Sequence, residues 1–365
     1  MVNFELSKMA VDMFYPGNVL QLDDAGLPSV MVYIPAFKNS DVLTGGDDNT
    51  HPAFIVNGKE IPGFYYSKYQ NVVHNGKAYS LPAEDPQANV NFDTALEYCV
   101  AKGYGWHLST AAEWAAIALW CKKNGLLPCG NNKYGMDSGE TGYKAIPSSD
   151  NTGGTIAKVA TGTGPLTWSH DGTPSGIWDM NGNVWEWQGG VRVVWGEIQI
   201  LANNNAADPD NPQNETSTCW KAINAADGSL VEPESKTTDT AVKTSGTTVK
   251  LDYVGDVWTY STGITSASES VRSCAFGKVI CAGAISAAAK VLLRALALLP
   301  DEGATEDEYK GDIMNVRNGG NVRNAYRGGC WSDGSKAGVF SFDCTNRGTA
   351  VYASFGFRAA YIPNI

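Results

Sequence analysis

The residues able to do chemistry are few and scattered. The chain has eight cysteines and no CxxC pair, so neither a disulfide framework nor a thiolate-rich metal site is indicated. Cys99, Cys121 and Cys129 read as core thiols. Cys330 and Cys344 stand fourteen positions apart, and a disulfide or two free thiols both fit. His51, His74, His107 and His170 form no HxH or HxxxH pattern, the spacing that puts two imidazoles on one metal. There is no G-x-S-x-G elbow and no P-loop. The one dense cluster is GIWDMNGNVWEW at 176–187. Its tryptophans can anchor an irregular Gly-rich turn by burying large rings. Its carboxylates, Asp179 and Glu186, would cap turns or pair with Arg327 or Arg358, two arginines beside Gly-aromatic turns near the C-terminus.

The elements that must position this cluster are short. MVYIPAF (31–37) alternates and reads as a strand. AFIVNGKEIPGFYYSKYQNV (53–72) reads as a hairpin about Asn57-Gly58. FDTALEYCVAK (92–102) has helical spacing with Gly103 as a stop. In WHLSTAAEWAAIALWCKKNG (106–125), Thr110 and Glu113 form a capping box that starts an apolar helix ending at Gly125. Residues 130–176 read as ordered loop, and 191–201 as a strand. The apolar stretch 279–299 is long enough to span a bilayer. Lys290 and Arg294 within it instead favour a buried or amphipathic helix.

Composition narrows the function classes. A chain of 365 residues with 43% hydrophobic and 10% aromatic residues builds a substantial core. The net charge of −11 opposes non-specific binding to nucleic acid or anionic lipid. No nucleic-acid partner and no membrane insertion are expected. The first residues lack a basic segment followed by an apolar one, so no signal peptide is expected.

Three segments in order resemble the formylglycine-generating-enzyme (sulfatase-modifying factor) family. They are HLSTAAEW at 107–114, GIWDMNGNVWEW, and YRGGCW (326–331) with FGFRAA (355–360). The resemblance spans roughly 30–190 and 310–362, and leaves 191–309 as an insertion. It implies an α+β, C-type-lectin-like fold of small antiparallel sheets, two short helices and much ordered loop. Residues 1–29 would be an N-terminal arm and 30–365 one domain. Some family members hold calcium in the central motif. The matching positions here are Asp179 and Glu186 by side chain and Gly182 and Val184 by backbone carbonyl. Oxygen ligands suit a hard cation, so a structural calcium is the single cofactor the resemblance raises, and none is required. The oxygenase members carry two close cysteines between RGGSW and GFR. Here that spacing is lost, which puts catalysis in doubt. The ligand helix of the iron-dependent sulfoxide synthases is also absent.

The tail, NVRNAYRGGCWSDGSKAGVFSFDCTNRGTAVYASFGFRAA, resembles the variable region of diversity-generating-retroelement target proteins, here at about 318–360. Adenine-directed mutagenesis of Asn codons never yields Lys, Met, Trp, Gln or Glu, and 337–360 contains none of these. Trp331, Gly334, Gly338, Val339, Phe340, Gly356, Phe357 and Arg358 would be the frame. The ligand-facing positions would be Asn324, Tyr326, Ser332, Asp333, Ser341, Asp343, Thr345, Asn346, Thr349, Ala350, Tyr352, Ala353 and Ser354. Strand alternation would put Ser341, Asp343 and Thr345 on a solvent face opposite Phe340, Phe342 and Cys344. Small polar residues with aromatic anchors suit a recognition surface.

The resemblance implies a non-catalytic binder of a host cell-surface protein or glycan, on a virion (tail-fibre tip) or a prokaryotic cell surface. The alternatives are a metal-dependent oxidoreductase of the formylglycine-generating type and a purely structural virion protein. Helix 279–299 offers a contact for a homo-oligomer, or packs within its own domain.

Overall fold

The computed structural model describes residues 4–142, 144–150 and 153–365. An antiparallel sheet, a larger mixed sheet, two short hairpins and a few helices make an α+β fold. The first sheet has five strands in the order Asn18–Leu22, Pro28–Pro35, Gly63–Ser67, Ala359–Tyr361 and Trp106–Leu108. The C-terminal strand Ala359–Tyr361 lies inside this sheet, between strands from the first third of the chain. Asn18–Leu22, within the stretch expected as an arm, forms the sheet's edge by pairing with Pro28–Pro35.

The second sheet has twelve strands and is not small. Trp185–Val194 lies at its middle and is buried along its whole length. On one side come Arg323–Gly328, Gly338–Cys344, Ile313–Val316 and Arg272–Ala275. On the other come Glu197–Ile200, Lys250–Val254, Val257–Ser261 and Ile280–Cys281. Strands from 191–309 thus lengthen the sheet at both ends. Three pairings are parallel, including Phe355–Phe357 on Trp185–Val194 and Ile313–Val316 on Gly338–Cys344. The two ends curl toward each other: Trp258 Nε1 donates to Met314 O at 3.1 Å and Tyr253 Oη to Ser273 O at 2.9 Å. Such curling shields strand edges that would otherwise be open to pairing.

The expected helices form with their expected signals. Thr110 Oγ1 accepts from Glu113 N and Glu113 Oε2 accepts from Thr110 N, each at 3.1 Å, and Ala111–Lys123 follows. Phe92–Val100 is capped by Asn91, whose Oδ1 accepts from Thr94 N at 2.8 Å. Three further α-helices, Phe4–Phe14, Asn39–Val42 and Ala287–Ala295, bring the described α-helices to five. The hairpin about Asn57-Gly58 is shorter than expected. Only Ile55–Val56 and Lys59–Glu60 pair, through a turn with positive φ at both central residues. Beyond it Gly63–Ser67 pairs with Pro28–Pro35 instead.

The 279–299 helix is halved. Ile280–Cys281 forms a strand, Ser286 caps the helix through Ala289 N at 3.2 Å, and only Ala287–Ala295 is helical. Its inner face, Ala289 and Leu293, is fully buried in the main core. Arg327 Nη2 donates to Leu296 O and Ala297 O at 2.9 and 3.1 Å, so a cation from the large sheet meets the carbonyl end of this helix. No described helix is long and apolar enough to cross a membrane.

Candidate functional site

The central motif enters the sheet through a backbone that few residues tolerate. Asp179, Gly182 and Asn183 all have positive φ. A Cβ on Gly182 would sit 2.2 Å from Asn131 O, so only glycine fits. Asn183 fixes the turn by accepting from Val159 N at 2.9 Å and donating to Gln70 Oε1 at 2.9 Å. The frame closes when Gly182 N donates to Gly328 O and Trp331 N to Asn183 O, at 2.9 and 3.2 Å.

Asp179, Gly182, Val184 and Glu186 do come together, but their common centre is filled. Gln70 Nε2 donates toward Asp179 O, Gly182 O, Val184 O and Glu186 Oε1 at 3.1, 3.3, 3.1 and 2.9 Å. Asp179 faces this centre by its carbonyl, not its carboxylate. Its Oδ2 accepts from Gly162 N at 2.8 Å, while Oδ1 is buried without a partner. Burial raises the Asp179 carboxyl to about 6, against the Gly162 bond and Arg358. Burial also raises Glu186, opposed by Arg358 and Gln70. Arg358 Nε meets both Glu186 oxygens at 3.0 and 2.8 Å. Its Nη1 donates to Ser67 O and Lys68 O, and Nη2 to Trp178 O. A calcium ion wants oxygens at roughly 2.3–2.6 Å and net negative charge. Here the centre holds a nitrogen and the carboxylate is already neutralised, so the residues as arranged do not fit that cation.

The two cysteines that oxygenase chemistry would need are apart in role and unpaired. All eight cysteines are free. Cys344 Sγ donates to Arg323 O at 3.1 Å, whereas Cys330 Sγ lies 3.5 Å from Ser332 Oγ. Burial pushes the Cys330 thiol up to about 12 and raises Cys344 further, so neither is a ready thiolate by its own surroundings. The histidines are also engaged singly. His51 Nε2 lies 2.8 Å from Ala295 O, His107 Nε2 2.8 Å from Glu113 Oε1, and His170 Nδ1 accepts from Ile177 N. No group of three or more His, Cys, Asp or Glu among the described residues is placed to hold a metal.

The C-terminal positions divide into two sets. Asn324, Tyr326, Ser341, Asp343 and Thr345 are buried, which corrects the expectation of a solvent face on the strand Gly338–Cys344. The alternation is present, but the polar side is covered. Asp343 Oδ1 accepts from Thr345 N and Oγ1 at 2.9 and 2.7 Å, and its Oδ2 from Asn315 Nδ2 at 2.9 Å. Tyr326 Oη lies 2.9 Å from Thr345 Oγ1 and accepts from Asn346 Nδ2 at 2.6 Å. Its ring packs at 4.6–5.2 Å on Phe355, Trp187 and Trp185. Ser341 Oγ donates to Lys336 O at 2.6 Å. The polar groups of Tyr326, Ser341, Asp343 and Thr345 each find a partner inside the fold, as buried polar groups must.

The second set is open. Ser332, Thr349, Tyr352 and Ala353 are exposed, and Asp333, Asn346, Ala350 and Ser354 are half-buried. Arg347 and Val351, which strand alternation did not single out, are exposed beside them. Tyr352 is 51% exposed and rests edge-on against Phe355 at 4.9 Å. The backbone of this segment is tied down. Asn89 N donates to Tyr352 O, Phe92 N to Gly348 O, Trp185 N to Ser354 O and Asn324 N to Asn346 O, at 2.8–3.1 Å. The loop between Gly338–Cys344 and Phe355–Phe357 therefore has a fixed path, with the side chains of Arg347, Thr349, Val351, Tyr352 and Ala353 open to water.

These elements define an α+β domain in which a Trp-rich central loop and a C-terminal strand close on each other. Residues 49–198 match the family described as "Sulfatase-modifying factor enzyme 1-like domain". That stretch contains the capped helix and the whole GIWDMNGNVWEW motif. Similar solved structures include "Major Tropism Determinant P3c Variant" and "Major Tropism Determinant U1 Variant". Each is 10% identical and covers 94% of this chain and 71% of its own, with TM-scores of 0.31 and 0.30. No curated protein matches this chain.

Proposed function

We propose that this chain is a non-catalytic receptor-binding protein of a virus, with a C-type-lectin-like domain of the formylglycine-generating-enzyme type. On this reading its C-terminal segment, 318–360, is diversified by retroelement mutagenesis, and it sits at the tip of a tail fibre. The supporting observation is the loop at 345–354: its carbonyls and amides are bonded to 89–92, Trp185 and Asn324, while Arg347, Thr349, Val351, Tyr352 and Ala353 face water. A binding surface that must change its side chains without losing its shape needs this separation. The tail's resemblance to variable regions points the same way. Against catalysis of the oxygenase type stands the separate engagement of the two cysteines, Cys344 with Arg323 O and Cys330 with Ser332.

The partner is a host cell-surface protein or glycan, met by an aromatic anchor at Tyr352 and an adaptable rim at Ser332, Asp333, Asn346, Thr349, Ala350 and Ser354. Binding through so small a face is weak for one copy, and display of many copies restores its strength. The test is retention of the labelled protein on prokaryotic cell envelopes from its source community. The triple variant R347A/V351A/Y352A should lose retention and keep the wild-type melting temperature. Equal retention by the variant contradicts the reading.

A further inference from the structure

Four oxygens of the central loop converge on one atom, and that atom is a nitrogen. Gln70 Nε2 lies 2.9–3.3 Å from Asp179 O, Gly182 O, Val184 O and Glu186 Oε1. Those are hydrogen-bond distances, longer than the roughly 2.3–2.6 Å of oxygens on calcium. An amide group carries only two hydrogens for these four acceptors. Its orientation is fixed, because Oε1 accepts from Asn183 Nδ2 at 2.9 Å. Turned over, it would set an oxygen against four oxygens. Gln70 is fully buried, so water cannot share the task.

The charge is balanced by a second group. Arg358 contacts both oxygens of Glu186 and donates to Ser67 O, Lys68 O and Trp178 O. Between them, a neutral amide and a guanidinium meet four backbone carbonyls and a carboxylate of the 178–186 segment. We propose that Gln70 and Arg358 take the place of a bound cation in this loop, and that residue 70 decides whether the loop is cation-free or cation-dependent.

The consequence is specific to one side chain. Gln70→Glu keeps the shape but sets a carboxylate oxygen against four others, an arrangement relieved by a cation between them or, in its absence, by a proton. Gln70→Ala instead leaves a space lined by three carbonyls and the Glu186 carboxylate. A cation that binds only the folded chain raises its melting temperature.

The experiment is thermal unfolding of the full chain in millimolar calcium and in chelator. The wild-type melting temperature is the same in both. Q70E melts several degrees higher in calcium than in chelator, and Q70A rises in the same direction. A calcium-dependent melting temperature in the wild type overturns the proposal. So does the absence of any calcium response in both variants. Should Q70E fail to fold in either medium, Q70A and the wild type decide the matter.

Discussion

Glu186 and Arg358 lie 172 positions apart in sequence and meet in a buried ion pair, with Arg358 Nε 2.8 Å from one carboxylate oxygen and 3.0 Å from the other. The pair joins the central motif to the junction between the chain's last two strands, Phe355–Phe357 and Ala359–Tyr361. Around it, Trp185–Val194 pairs with Phe355–Phe357 and the strand Ala359–Tyr361 enters the other sheet. Breaking a buried pair by removing one partner costs about 3–5 kcal/mol, because the other charge is left unpaired. Glu186→Gln should lower stability by that order in a denaturant titration. A change below about 1 kcal/mol would show that the pair does not fasten the tail.

Two kinds of C-terminal position should respond differently to truncation. Thr349→Ala and Tyr352→Ala remove side chains from solvent and should stay within about 0.5 kcal/mol of wild type. Asp343→Ala strands the buried Thr345 and the half-buried Asn315 and should cost about 1–3 kcal/mol. Tyr326→Ala empties an aromatic cluster and should cost about 3–5 kcal/mol. Equilibrium unfolding of the four variants separates the sets.

His51 should contribute a loss of stability on acidification, opposed between about pH 6 and 4 by the raised carboxyl of Asp179. His51 is fully buried, its Nε2–H donates to Ala295 O and its Nδ1 accepts from Ala53 N, and burial depresses it from 6.5 to about 4. The unfolded chain takes up a proton below about 6.5 that the folded chain refuses until about 4. Stability is therefore lost as pH falls through that window, by on the order of 3 kcal/mol from this group. His51→Gln should flatten the slope between pH 6.5 and 4. An unchanged slope would count against a neutral His51 in the fold.

Gly182→Ala should be among the most damaging single changes. It forces a Cβ to 2.2 Å from Asn131 O at a positive φ. The strain of a non-glycine residue in that region alone is about 1–3 kcal/mol, and the clash adds to it. The expected outcome is poor soluble yield or a much lower melting temperature than Asn181→Ala, two side chains on the same loop being compared. Similar behaviour of the two would mean the loop has another path.

Much of this was legible in residue types with strong local physics. Thr110 and Glu113 form their capping box, and Asn57-Gly58 its turn. The Trp-Asp-Met-Asn-Gly-Asn motif marks the tight loop beneath the sheet. What escaped depends on partners far away in the chain. Gln70 carries no local signal, since a buried amide is defined only by the carbonyls it meets. Strand alternation correctly put Ser341 and Asp343 on one side, but polarity did not mean exposure once Asn315 and Thr345 supplied hydrogen bonds. The 279–299 stretch is apolar throughout, so composition alone could not reveal that Ser286 starts its helix. Trp195-Gly196, the turn that sends the chain from Trp185–Val194 into Glu197–Ile200, lacks the usual Asn or Asp.

The most direct test of the binding account is the coding sequence of residues 318–360 in many members of the source population, read together with the flanking DNA. The account predicts substitutions at 332, 347, 349 and 351–353, with Trp331, Gly338, Phe340 and Gly356-Phe357-Arg358 constant, and a near-copy of the region beside a reverse transcriptase. A uniform region with no template copy nearby would contradict it.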